Sequence, residues 1–146
     1  MNQRIPLKTI ADHIRPLVPL AARVGTAYDR DYIQAVQGAP AAVVWVIGQR
    51  HTPRDDGGGG AGCYFQRMKV EIAMRLVVPR YLDGEIDAEA RMNALHDQVT
   101  AAMRKYQPGE AWTQFVLGTS QDGPANESVC TVDVFFTADV LYTERP

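Results

Sequence analysis

Residues 63–78, CYFQRMKVEIAMRLVV, decide how the chain is read. Tyr64, Met68, Val70, Ile72, Met74, Leu76 and Val78 share one parity, while Arg67, Lys69, Glu71 and Arg75 fill positions between them. Apolar side chains on one face and charges on the other, with a period of two, predict a half-buried β-strand. At about 3.3 Å per residue it would run on the order of 50 Å, well beyond the usual strand of ~5 or 6 residues. Such a strand must bend or project, and a projecting ribbon needs a partner chain to cover it.

A second ribbon follows near the other end. Residues 129–142, VCTVDVFFTADVLY, put Cys130, Val132, Val134, Phe136, Val140 and Tyr142 on one side and Thr131, Asp133, Thr137 and Asp139 on the other. A mostly basic outer face on the first ribbon and aspartates on the second favour antiparallel pairing with cross-strand ion pairs. Arg67, Lys69, Glu71, Arg75, Asp133 and Asp139 also make a candidate subunit or partner interface. Upstream, PAAVVWVIG at 40–48 is β-branched, aromatic and uncharged, which predicts a central strand buried on both faces. AWTQFVLG at 111–118 reads as a short strand, and the SQDGPANES after it as turn chemistry.

Helices fill the gaps. Leu7, Ile10, Ile14 and Leu17 lie at helical spacing behind Pro6, and Pro16 ends that first helix. Residues 26–37, with early Asp29 and Asp31 and with Tyr28, Tyr32 and Val36 every four positions, predict a second short one. Asp87 can cap a helix from Ala88 to about Tyr106, whose apolar stripe is Met92, Leu95, Val99, Met103 and Tyr106. The expected fold is α+β: a mixed, mostly antiparallel sheet of about four main strands with helices packed on one face, as one domain over residues 1–146.

Between the first two strands, QRHTPRDDGGGGAG at 49–62 is polar and glycine-rich, and ordering it costs too much entropy for a core element. It is expected to be a mobile loop. Arg50, His51, Arg54, Asp55, Asp56, Gly57, Gly58, Gly59 and Gly60 are the candidate contact residues within it.

With 146 residues, 46% of them hydrophobic and 22% charged, the chain is long enough for one core and too apolar for disorder. A net charge of −2 offers no overall positive field for phosphate backbones. The first residues, interrupted by charges and prolines, match neither a signal peptide nor a membrane span, so a cytoplasmic protein is expected. Cys63 and Cys130 form no CxxC pair and are expected to stay reduced.

No pattern marks chemistry. Gly57, Gly59 and Gly62 satisfy GxGxxG, but a strand rather than a helix is predicted to follow them, which fails the dinucleotide fingerprint. His13, His51 and His96 are scattered without metal-ligand spacing. Asp55 and Asp56 fall short of an oxygen-ligand set, Ser120 and Ser128 lack a nucleophile turn, and Cys63 has no base beside it. Neither catalytic residues, nor a cofactor, nor a metal is predicted.

The order of these elements, with proline-alanine entering the first buried strand and VCTVDVFFTADVLY closing the set, resembles the tail terminators of long-tailed phages, the lambda-type family. The resemblance covers nearly the whole chain. It implies a structural, non-enzymatic virion protein forming a homo-oligomeric ring, a hexamer, that caps the tail tube, ends its polymerisation and meets a head-completion protein. It also implies assembly in the host cytoplasm of a phage or prophage, then residence in the virion tail, with DNA passing through unbound and no membrane involved. Rings need heterologous interfaces whose rotation closes, whereas tubes grow by open-ended stacking. Two readings stay open beside it: a ligand-binding or enzymatic α+β domain with a pocket lined by Trp45, Tyr64, Trp112 and Tyr142, and a head-closure adaptor.

Overall fold

The computed structural model describes residues 4–32, 41–54, 64–80 and 87–144. Helix α1 (Leu7–Ile14) passes through a 3-10 turn (Arg15–Leu17) into strand β1 (Arg23–Thr26). Strands β2 (Val43–Pro53) and β3 (Tyr64–Pro79), helix α2 (Ala88–Arg104) and strands β4 (Val116–Asp122) and β5 (Val129–Glu144) follow. The five strands form one sheet in the order β1-β2-β3-β5-β4. The β1/β2 pair is parallel and every other pair antiparallel, so the architecture is α+β with a mixed, mostly antiparallel sheet.

The two long ribbons are present and pair with each other along their whole length. Register runs from Tyr64 opposite Glu144 to Pro79 opposite Val129. Their length is absorbed by neighbours rather than by projection: β2 flanks β3 up to the pair Pro53 and Met68, and β4 flanks β5 over Val132 to Thr137. Residues 64–67 at one end and Val78 and Pro79 at the other outrun β2.

The alternation of β3 and β5 directs Val70, Ile72, Met74, Leu76, Val134, Phe136 and Val140 to one face. There they meet Ile10 and Ile14 of α1 and Leu95, Val99 and Met103 of α2, all buried. Removing this apolar surface from water is the main favourable term for the fold. The opposite face carries a second, smaller cluster of Val43, Trp45, Val77 and Val129, with Tyr32 and Ile47 packed against it. Burial of β2 on both faces, read from its uncharged first half, is therefore observed. Gly25 makes the cover over Trp45 possible, because a Cβ there would come within 2.6 Å of the indole ring.

Four expectations are corrected. Residues 49–53 are not loop: β2 bulges between Val46 and Gly48 and continues to Pro53, opposite Ile72 to Met68. The backbone of β3 needs a partner along that stretch, and the polar side chains of β2 find partners of their own. Thr26 belongs to β1, a fifth strand the sequence reading lacked, and Ala27 to Asp31 form tight turns; Tyr32 is helical, and residues 33–37 of the helix expected at 26–37 lie outside the described residues. In those turns the Asp29 carboxylate accepts the Thr26 N–H at 2.8 Å, an alternative to helical bonding typical of aspartate. Strand β4 lies further along than residues 111–118: Trp112 makes only an isolated bridge to Val140, Phe115 drops into the core, and Ser120 to Asp122 are strand rather than turn. Asp55 to Gly60 and Cys63 lie outside the described residues.

Candidate functional site

On the outer face of the sheet, Arg75 stands directly opposite Asp133. Its Nε donates to Asp133 Oδ1 at 2.8 Å and its second guanidinium nitrogen to Oδ2 at 3.0 Å, the expected cross-strand ion pair in bidentate form. The carboxylate at its side holds the Arg75 guanidinium above its usual range, against the opposing effect of burial. Only 18% of the Arg75 side chain and 12% of that of Asp133 are exposed. The pair clamps the sheet beside Trp45, whose ring carries the Arg23 guanidinium 5.0 Å from its centroid.

Further along the same face, Asp139 is opposite Lys69 in register but bonds Arg54, whose Nε reaches Oδ1 at 2.9 Å. Arg67 and Lys69 are exposed and Glu71 is half-buried. A cleft of about 230 Å³ lies among Arg50, Thr52, Lys69 and Glu71. Arg50, Arg54, Arg67, Lys69, Glu71 and Asp139 thus share one charged surface patch, while Arg75 and Asp133 sit deeper and apart from it.

His51 turns to the other face and is half-buried. Its Nδ1 lies 2.9 Å from the Tyr142 hydroxyl and its Nε2 2.8 Å from Gln49 Oε1. Gln49 in turn donates to the Ile5 carbonyl at 2.6 Å and accepts the Ile5 N–H at 3.2 Å. This network ties the segment before α1 to β2 and β5. Burial lowers the His51 pKa, with the Arg4 charge adding to it, and burial raises that of Tyr142.

The pocket expected around Trp45, Tyr64, Trp112 and Tyr142 does not form from its described side chains, that of Tyr64 lying outside them. Trp45 belongs to the outer-face cluster, whereas Tyr142 and Trp112 pack with the main core on the opposite face. Among the described residues, no group of three or more His, Cys, Asp or Glu could hold a metal ion. No helix there is long and apolar enough to cross a membrane.

Features that the sequence reading missed lie at the sheet edges. At the β1 edge, a groove of about 360 Å³ runs between α1 and β1, lined by Leu7, Lys8, Ala11, Arg15 and Tyr28 among others, and the Tyr28 side chain stands out into solvent at its rim. At the opposite edge, all seven residues of β4 are exposed, Val116 and Leu117 included. Two apolar residues followed by GTSQ carry no strand alternation, so periodicity alone could not locate that edge.

The prominent surface features of this α+β fold are an uncovered β4 edge and a charged sheet face, those of a protein that packs against other proteins. The family model described as phage tail terminator protein matches residues 1–145, and the chain belongs to that family. It is thus a structural component of phage tail assembly, located in the virion tail, and its role implies contact with tail and head components. No curated protein matches the chain significantly.

Proposed function

We propose that this protein closes into a ring on the end of the tail tube, stops further addition of tube subunits, and presents its other side to a head-completion protein. The observation that carries the reading is the family match over residues 1–145 on a fold whose exposed features are surfaces rather than a cavity. A hexamer is the ring that fits this role. Each copy carries a net charge of −2, so the ring repels phosphate in bulk and passes DNA without holding it. The ring assembles in the host cytoplasm before it enters the virion.

The patch of Arg50, Arg54, Arg67, Lys69, Glu71 and Asp139 is the candidate contact with a tube or head protein, with Arg75 and Asp133 holding the sheet beneath it rigid. Asp55, Asp56 and Gly57 to Gly60 continue from the same end of β2 and are proposed to join that contact. Deleting the gene from its phage and imaging the lysate tests the function. Over-long tails without heads, restored to uniform length by the gene in trans, support it. Normal tail lengths in the deletion would remove it.

A further inference from the structure

The two edges of the sheet differ in charge, in backbone availability and in shape. Residues 7–32, which build the β1 edge, hold Lys8, Arg15, Arg23 and Arg30 against Asp12, Asp29 and Asp31, while Arg4 acts on His51 and Tyr142 instead. Residues 106–122, which lead onto and build the β4 edge, hold Glu110 and Asp122 and no basic residue, while Glu127 lines a cleft with Arg80. Arg104 and Lys105, just before them, end α2 in the helix layer. The segment at Ala111 to Thr113 extends this acidic edge past β4, since Thr113 N–H bonds Asp139 O and Leu141 N–H bonds Ala111 O.

Exposed large apolar side chains mark the same two places. Tyr28 stands at the rim of the β1 groove, Val116 and Leu117 lie on β4 and Leu141 beside the Ala111 segment, while Leu20 N–H bonds Gln98 of α2. Surface apolar groups at two opposite edges of opposite net charge are the pattern of a contact surface with its complement.

Backbone groups decide how the edges can meet. Ala27 N–H bonds Val46 O, so in this parallel pair Val24 and Thr26 turn their polar groups away from β2. Arg15 donates to Val24 O at 2.9 Å, the Asp29 carboxylate accepts Thr26 N–H, and Asp29 N–H bonds Thr26 O. The β1 edge is therefore closed to strand addition, whereas β4, interrupted only by its bulge between Leu117 and Thr119, ends the sheet uncovered. Two β4 edges facing each other would bring like charges together.

We infer that the ring contact is head-to-tail: the β4 edge of one copy, led by Val116 and Leu117, packs into the groove between α1 and β1 of the next, against Lys8 and Tyr28. This rests on the ring reading and specifies its interface. The contact is heterologous, so it propagates from copy to copy and closes where its rotation completes a circle. It joins copies by side-chain packing and charge, with the strands of adjacent sheets left unmerged.

Two variants of the full chain test this, one with Val116→Asp and Leu117→Asp, the other with Lys8→Asp and Tyr28→Asp. All four residues are exposed, so far-UV circular dichroism and the melting temperature should match the parent. Sedimentation velocity over a wide concentration range should show an oligomer for the parent and monomers for each variant. An equimolar mixture of the two should give a heterodimer and nothing larger, because only one intact edge of each kind remains. A homodimer of the Lys8/Tyr28 variant, or parent-like oligomers from both variants, would overturn the interface while leaving the ring standing. A parent chain that stays monomeric both in solution and on tubes would overturn the ring reading itself.

Discussion

Single residues on this sheet show how polar groups become structural when a neighbour satisfies them. Truncating Arg75 to Ala leaves the Asp133 carboxylate nearly buried beside Trp45 without its bidentate partner, and an orphaned charge of that kind costs about 3 kcal/mol or more. Urea unfolding should show that loss, and a double change to an apolar pair should recover much of it. His51 makes a pH-dependent contribution. Its pKa, like that of His13, lies below the ordinary value of 6.5 because burial disfavours the charged ring. Above that pH the contribution is fully present, and as pH falls below it the unfolded chain takes up protons that the folded chain refuses, so stability is lost. Melting temperature should therefore decline between about pH 7 and pH 5, with a shallower slope when both histidines are replaced by Gln. The Arg75–Asp133 pair was legible because both residues sit on alternating ribbons. The roles of Gln49 and His51 were not, since their partners, Ile5 and Tyr142, are remote in sequence.

At the scale of elements, α2 was the most legible because signals of several kinds agree. Asp87 precedes it, its apolar stripe has helical spacing, and Arg104 closes it. The structure puts the helix at Ala88–Arg104, with Asp87 accepting the Glu89 N–H at 3.1 Å. Replacing Asp87 by Ala should lower stability by about 1 kcal/mol, read as a reduced urea midpoint with unchanged slope. The ribbons β3 and β5 were equally plain, since sixteen alternating residues leave no other period. Boundaries failed where tertiary pairing overrode local composition. Strand β2 runs through polar residues because β3 lies beside it, and β1 is too short, at four residues, to show any period. Strand β4 was read too early, at 111–118, for a different reason: a strand exposed on both faces has no apolar alternation to fix its bounds.

For the whole molecule, the sheet is polar in a directional sense. In the proposed ring, a net-positive, backbone-closed edge on one side and an acidic, uncovered edge on the other would make self-association head-to-tail, and a chain of such contacts that closes has no end at which to grow. The helix layer and the charged face of β2, β3 and β5 would then remain available for different partners above and below it. Sequence composition alone conveyed the overall charge of −2 but not its division between edges, which only strand order reveals. The most direct measurement is to polymerise purified tail-tube subunits with increasing amounts of this protein and image the tubes by negative-stain electron microscopy. Tubes that shorten in a dose-dependent way, each bearing one ring at a single end, are the predicted result. Tubes of unchanged length, or protein bound along their sides instead of at an end, would contradict it.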